Sequence, residues 1–104
     1  MSAAYLAQLQ QTDEAVGRLV ALLPPDATVI LTADHGGQLK NHGTTDRADT
    51  TIPWIIAGPR VVRRGPLTRA VRTVDTAATV LSMLGVPVPV SATGKPVSEA
   101  FEAQ

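Results

Sequence analysis

Two short, β-branched apolar runs constrain the fold of this chain more than any other feature. The runs are "TVILTA" at residues 28–33 and "IPWIIA" at residues 52–57. Continuous apolar runs of this length are typical of strands that are buried on both faces, as in a parallel sheet. Pro53 lies near the start of its run, where a missing N–H is tolerated. The sequence therefore predicts two buried strands, separated by a long polar loop at residues 35–50.

Helical patterns flank the two runs. In residues 3–23, apolar side chains recur at three- and four-residue intervals, which predicts an amphipathic helix that a proline pair ends. The segment "DTAATVLSMLG" predicts a second helix. Thr73 or Asp75 can cap its start, and Gly85 fits the cap at its end.

The order of these elements is helix, strand, loop, strand, helix. The segment "TRAVRTV" at residues 68–74 predicts a short third strand, and residues 97–101 predict a last helical turn. This order predicts an open α/β sheet with helices packed on it. A chain of 104 residues is long enough for one modest core, so residues 1–104 are expected to form a single domain.

Composition argues against several classes of function. Nine basic and nine acidic residues cancel, which disfavours nucleic acid or a membrane surface as the main partner. No apolar run approaches the roughly 20 residues of a membrane span. Because cysteine is absent, a metal site must use oxygen and imidazole ligands. The basic group Arg60, Arg63 and Arg64 is too small to indicate nucleic acid but can attract an anionic substrate.

Both histidines of the chain lie in the loop after the first strand. Asp34 and His35 come directly at the strand end, and His42 follows the Gly36–Gly37 pair. Carboxylate and neutral imidazole suit zinc or manganese, and glycines let the strand break so that neighbouring side chains converge. These three residues are therefore candidate metal ligands, at the strand end where α/β sheets bind ligands. The alternative is a turn-forming aspartate and two unrelated histidines.

Three charged residues of the same loop have two interpretations each. Lys40 can contact a substrate phosphate or simply be solvated. Asp46 and Asp49 can hold an imidazole N–H of a ligating histidine. Both can instead face water, as charged loop residues ordinarily do.

An ordered set of motifs resembles the C-terminal part of the alkaline-phosphatase superfamily. The set runs "TADHGG", "HG", "IPWIIAGPRV", "VRTVDTAATVLSMLGVPVP" and "GKPV". The helix "YLAQLQQTDEAVGRLVALL" also fits, so the resemblance covers nearly the whole chain. The full set in this order is more specific than "DHG" alone. The chain is most similar to the type I phosphodiesterase/nucleotide pyrophosphatase branch.

The resemblance implies a two-metal phosphoric ester hydrolase with zinc, or alternatively manganese, and a small phosphoester substrate. In the family pattern Asp34 and His35 bind one metal and His42 binds the other. The family's Thr or Ser nucleophile lies in an upstream segment that nothing in this sequence matches. We therefore expect residues 1–104 to be a single partial domain, a C-terminal fragment of an alkaline-phosphatase-like sheet, which supplies metal ligands and is inactive alone.

Two alternatives to this function stay open. The segment "DHGGQLKNHG" is also close to the sulfatase pattern, so a sulfatase or phosphonate hydrolase of the same superfamily fits. A non-catalytic α/β fragment that binds metal weakly fits as well.

The two strands also predict uncovered apolar surface. Two clear helices are too few to cover two strands on both faces, so Ile30, Ile52, Trp54 or Ile56 should be less buried than their pattern demands. Exposed apolar patches of this kind mark association, so the chain is expected to self-associate.

Overall fold

The computed structural model describes residues 1–62 and 65–101, so Arg63 and Arg64 of the basic group lie outside the described residues. The chain is a small mixed α/β structure, as the sequence predicts. Its elements are α1 (Ala3–Ala21), β1 (Val29–Thr32), α2 (Arg47–Thr50), β2 (Trp54–Ala57), α3 (Asp75–Met83) and a 3₁₀ turn (Ser98–Phe101).

The two strands form an antiparallel pair. Val29 lies opposite Ala57, and Thr32 lies opposite Trp54. The prediction of a parallel arrangement is therefore wrong. Parallel neighbours need a crossover that is usually built around a full helix, whereas α2 is a single turn of four residues. The chain accordingly returns alongside β1 in the opposite direction.

Neither strand is buried on both faces, so that part of the prediction is also wrong. Leu31 is 37% exposed and Ile55 is 55% exposed. The expectation of incomplete burial is confirmed, because the four residues named for it are all half-buried: Ile30, Ile52, Trp54 and Ile56. Apolar side chains of the sheet thus remain open to solvent.

Helix α1 begins at a side-chain cap and keeps its apolar stripe exposed. The Ser2 hydroxyl accepts the backbone N–H of Tyr5 at 3.1 Å, which satisfies one of the unpaired donors of the first turn. No residue of α1 is buried, and Leu9 and Leu19 are 54% and 64% exposed. Among the helices in the described part of the chain, none is long and apolar enough to cross a bilayer.

The best-buried part of the structure surrounds α3 and is largely polar. Thr79 is fully buried; its hydroxyl donates to the Asp75 carbonyl at 2.7 Å and accepts the Val97 N–H at 3.0 Å. The Asp75 carboxylate accepts the backbone N–H groups of Arg72 at 2.8 Å and Lys95 at 2.9 Å. These bonds fasten the C-terminal segment to α3.

The two ends of α3 differ from each other in how well the sequence predicts them. The N-cap is Val74, without a side-chain bond, so the predicted cap by Thr73 or Asp75 is wrong. The C-terminal prediction is confirmed, because Gly85 has φ +70 and the Val86 N–H reaches the Leu81 carbonyl at 2.9 Å. The last turn, predicted at residues 97–101, forms at Ser98–Phe101.

The predicted third strand at residues 68–74 does not form. A buried carboxylate takes its backbone donors instead: Glu99 accepts the N–H groups of Thr68 at 2.8 Å and Arg69 at 3.0 Å. The Arg72 N–H goes to Asp75. With these donors engaged, the segment has few left for a ladder.

Candidate metal centre

The loop that carries Asp34 and His35 is held against α2 by its glycines. The Gly36 N–H donates to the Asp49 carbonyl at 2.7 Å, and the Gly37 N–H donates to the Ala48 carbonyl at 2.8 Å. A Cβ on Gly36 would overlap the Ala48 carbonyl oxygen. Glycine is therefore required by this close approach of two backbones.

The imidazole of His35 has one nitrogen committed and one open. Nδ1 lies 2.6 Å from the carbonyl oxygen of Gly36. A carbonyl oxygen only accepts, so this nitrogen carries the hydrogen, and in the neutral ring the lone pair is then on Nε2. Metal-ligating histidines nearly always donate their other N–H to a carbonyl or carboxylate in this way. His35 thus has the tautomer of a ligand through Nε2.

The Asp34 carboxylate lies next to that open nitrogen. Its Oδ1 accepts the backbone N–H of His35 at 2.9 Å and lies 3.7 Å from His35 Nε2. Two donor atoms of a tetrahedral site with bonds of about 2.0 Å lie about 3.3 Å apart. The Asp34 side chain is 89% exposed and can make this small adjustment. The pair therefore fits one divalent ion.

The His42 ring lies next to this pair and is nearly parallel to the His35 ring. It stacks on His35 with ring centroids 4.2 Å apart and an interplanar angle of 20°. Asp34, His35 and His42 line one open cleft together with Asp49. Within residues 1–62 and 65–101, no group of three or more acidic or histidine side chains is arranged to hold a metal. The three-residue metal assignment therefore stays a prediction.

Asp49 is buried, so its interpretation as a solvated loop residue is wrong. Its Oδ2 accepts the Thr44 N–H at 2.9 Å and the Thr44 hydroxyl at 2.6 Å. The hydroxyl bond from Thr44 is the main cause that lowers the pKa of Asp49, and the backbone bond and nearby imidazoles add to it against the effect of burial. Residue types alone do not reveal this turn, because Thr44 and Asp49 lie five positions apart in a loop without periodicity.

The other two charged loop residues are exposed. Asp46 accepts the side-chain amide of Gln38 at 2.8 Å, and Lys40 lies at the tip of the turn between Gln38 and Asn41. Neither residue lines the cleft that contains the histidines. The structure therefore places only Asp49 where it can support the candidate ligands.

Comparison with known protein families defines the class of protein. A family model described as Sulfatase matches residues 1–86. The chain belongs to the sulfatase family, and the resemblance to the alkaline-phosphatase superfamily is thereby confirmed.

Curated relatives carry the names of several different enzymes. The chain is 35% identical to a 2,3-bisphosphoglycerate-independent phosphoglycerate mutase of Rhodopirellula baltica, over 96% of this chain and 20% of the mutase. It is 32% identical to a Caenorhabditis elegans protein named as an extracellular sulfatase Sulf-1 homolog, over 90% of this chain and 15% of the relative. It is 34% identical to a phosphopentomutase of Methylobacterium radiotolerans, over 79% of this chain and 20% of the mutase.

The chain spans about a fifth or less of the length of these relatives. No solved structure matches it significantly. The relatives support phosphoryl or sulfuryl transfer as the chemistry of the family. They do not single out the phosphodiesterase/nucleotide pyrophosphatase branch.

Proposed function

We propose that this chain is part of a two-metal enzyme that transfers phosphoryl or sulfuryl groups. In this proposal Asp34 and His35 hold one divalent ion and His42 holds the second, with zinc as the ion and manganese as the alternative. The observation that carries it is the position of the His35 ring, whose Nδ1 lies 2.6 Å from the Gly36 carbonyl oxygen while Nε2 lies 3.7 Å from Asp34 Oδ1. The third proposed ligand, His42, stacks on His35 with ring centroids 4.2 Å apart, which supports a second ion beside the first.

The roles of the chain's own residues follow from their chemistry. Bound divalent ions would supply charge neutralisation on the transferred group and would favour the deprotonated form of a hydroxyl nucleophile. Asp34, His35 and His42 act as ligands and move no proton. The nucleophile, a Thr or Ser in the family pattern, is proposed to come from a segment outside these 104 residues.

The substrate class that we propose is a small phosphoric ester, and more narrowly a phosphodiester or nucleotide pyrophosphate. Two of the relatives above are named as mutases of phosphorylated compounds, which supports phosphoryl transfer. The second candidate is a sulfate ester. It is supported by the description of the family model and by the name of the nematode relative.

Metal binding can be tested on the 104-residue chain because it has only two histidines. We expect Mn²⁺ to broaden the imidazole NMR signals of both rings, with weak affinity because few ligands are present. In His35→Ala, the imidazole signals of His42 should keep part of their broadening by Mn²⁺. In Asp34→Asn, the broadening of the His35 signals should be weaker than in the wild type. Asp13→Asn, at an exposed position of α1, is the matched control and should leave the broadening of both imidazoles unchanged. If the imidazole signals broaden no more than the signals of Asp13 in the wild type, the metal proposal is refuted.

The substrate class requires the polypeptide of the whole reading frame that contains this sequence. Aryl phosphodiester, phosphomonoester and sulfate ester should be compared with zinc and with manganese. We expect phosphodiester turnover to be the largest and to fall by orders of magnitude in His42→Ala. Preferred sulfate-ester turnover would select the second candidate.

The 104-residue chain alone should show no turnover of the aryl phosphodiester above buffer. If it did turn over the ester, and His42→Ala abolished that activity, the assignment of the nucleophile to another segment would be wrong.

A further inference from the structure

One buried carboxylate oxygen beside the candidate ligands has no hydrogen-bond partner among residues 1–62 and 65–101. It belongs to Asp49, which is 3% exposed and whose Oδ1 is buried. Its other oxygen, Oδ2, already accepts both hydrogen bonds from Thr44. Closing this turn therefore uses only one of the two oxygens. Because an unpaired buried acceptor is unfavourable, a donor for Oδ1 is expected.

The cleft offers two imidazoles as donors. Asp49, His35 and His42 line it together. His35 has already given its Nδ1–H to the Gly36 carbonyl. The His42 ring makes no hydrogen bond within the described residues, and its one ring contact is the stack on His35. His42 is thus the ring whose N–H is free to reach the carboxylate.

We propose that Asp49 is a positioning residue whose Oδ1 accepts the ring N–H of His42 and so fixes which nitrogen of that ring faces an ion. This inference rests on the proposed function. His42 is exposed, and the proposed bond requires its side chain to rotate away from the stack on His35. Asp46 cannot substitute, because it is exposed, lies outside the cleft and bonds to Gln38.

The backbone of Asp49 adds a second connection to the site. Its carbonyl oxygen accepts the Gly36 N–H at 2.7 Å, next to His35 in the chain. One residue therefore contacts the loop of the first ligand pair through its backbone and supports the second histidine through its side chain. Outer-shell partners of this kind set the orientation and tautomer of ligating histidines.

A metal-free measurement tests the bond itself. Nitrogen-15 NMR of the imidazoles of the 104-residue chain reports the tautomer of each histidine separately. We expect one dominant tautomer for His42, with a ring N–H that exchanges slowly with water. In Asp49→Asn, the amide oxygen can keep the bonds from Thr44, so an NH₂ donor replaces the Oδ1 acceptor. The His42 tautomer ratio should then shift several-fold.

Two variants separate positioning from a merely structural role. Thr44→Ala weakens the turn but leaves Oδ1 in place, and Asp46→Asn makes the same chemical change at an exposed site of the same loop. Both should keep the wild-type tautomer ratio of His42. If Asp49→Asn does not fold, the wild-type chain still decides. A His42 N–H that exchanges as fast as that of free histidine, or an even mixture of tautomers, would overturn the inference.

Titration with Zn²⁺, a diamagnetic ion, gives the second measurement. Asp49→Asn should raise the Zn²⁺ concentration that half-shifts the ring nitrogen signals of His42 by about 10- to 100-fold, the usual effect of removing an outer-shell partner. The ring nitrogen signals of His35 should shift at an unchanged concentration. An equal response of His42 in wild type and Asp49→Asn would overturn the inference.

The two proposals fail in different ways. Absence of Mn²⁺ broadening in the wild type overturns the proposal that this chain binds metal. The tautomer of His42 is measured without metal, so it tests only the hydrogen bond between Asp49 and His42.

Discussion

The indole N–H of Trp54 donates to the hydroxyl of Thr76 at 3.0 Å and so joins β2 to α3. Trp54 is half-buried and is the only tryptophan, so its fluorescence reports the docking of α3 against the sheet. In Thr76→Val we expect a loss of stability of about 0.5–1.5 kcal/mol, because the indole N–H loses its partner but can still reach water. Urea unfolding followed by tryptophan emission measures the change. Unfolding identical to the wild type would show that this bond does not hold α3 in solution.

Thr79 should be more sensitive than Thr76. Its hydroxyl is fully buried between the Asp75 carbonyl and the Val97 N–H. Thr79→Val preserves shape but leaves that N–H unpaired, which costs about 1–3 kcal/mol. Thr79→Ser keeps the hydroxyl and should recover most of the hydrogen-bond contribution. If valine and serine cost the same in urea unfolding, the effect is one of packing, and the bridging role assigned to the hydroxyl is wrong.

Asp75 makes stability depend on acid pH. Burial raises its pKa, but the backbone N–H groups of Arg72 and Lys95 and the Arg72 charge outweigh burial, so its pKa lies below the ordinary value of 3.8. A folded-state pKa below the unfolded one means that the unfolded chain binds protons first as the pH falls. The contribution is therefore complete above the unfolded pKa and is lost as the pH falls through the folded one.

Thermal melts from pH 6 to pH 2.5 check this pH dependence. Asp75→Asn should lower the melting temperature at pH 6 and show a flatter decline than the wild type below about pH 4. Asp13→Asn, in the exposed helix α1, should retain the wild-type decline. A wild-type slope in Asp75→Asn would mean that other groups carry the acid sensitivity.

Two glycine-to-alanine changes should have opposite signs. A Cβ on Gly36 would overlap the Ala48 carbonyl, so Gly36→Ala should destabilise the loop of the candidate ligands and lower the melting temperature. A Cβ on Gly17 meets nothing within 4 Å, so Gly17→Ala should stabilise α1 by about 0.5–1 kcal/mol. Calorimetry of the two variants beside the wild type gives both signs. Stabilisation by Gly36→Ala would contradict the close approach of the two backbones.

The exposed apolar stripe of α1 predicts self-association of the chain. Leu9 and Leu19 are both more than half exposed, and Ile55 adds apolar surface on the sheet. Large exposed apolar patches favour association. Sedimentation velocity should show species larger than a monomer at high concentration, reduced in Leu9→Gln/Leu19→Gln. Gln8→Glu, on the same helix, controls for changed polarity and should leave the association unchanged. A wild-type chain that stays monomeric at all concentrations would refute the prediction.

The sequence predicts the helices best because their signals are local. Apolar spacing and a proline pair define α1, and Gly85 at positive φ ends α3 where the sequence places its cap. Strand direction is not local: the apolar run at residues 28–33 has the same composition whether its partner is parallel or antiparallel. The short α2 decides the direction of the second strand, and a single turn of four residues within a polar loop shows too little periodicity to be predicted from the sequence.

In the candidate site, too, the sequence predicts local relationships and misses those that depend on the fold. Adjacency in the chain brings Asp34 and His35 together, so the sequence predicts their proximity directly. The burial of Asp49 depends on the fold of the turn from Thr44 and on the contact with Gly36, which residue types alone do not reveal. Likewise, Glu99 takes the donors of Thr68 and Arg69 from some 30 positions away, which suppresses the strand that local pattern predicts.

The antiparallel pairing has a consequence for how this loop can change in evolution. Asp34, His35 and His42 all lie in the connection between β1 and β2, so paired strands anchor both ends of the segment that carries them. Because each doubling of a flexible loop costs only about 0.6 kcal/mol, its length can drift. Descendants can therefore remodel what surrounds these side chains while the two anchoring strands stay where they are.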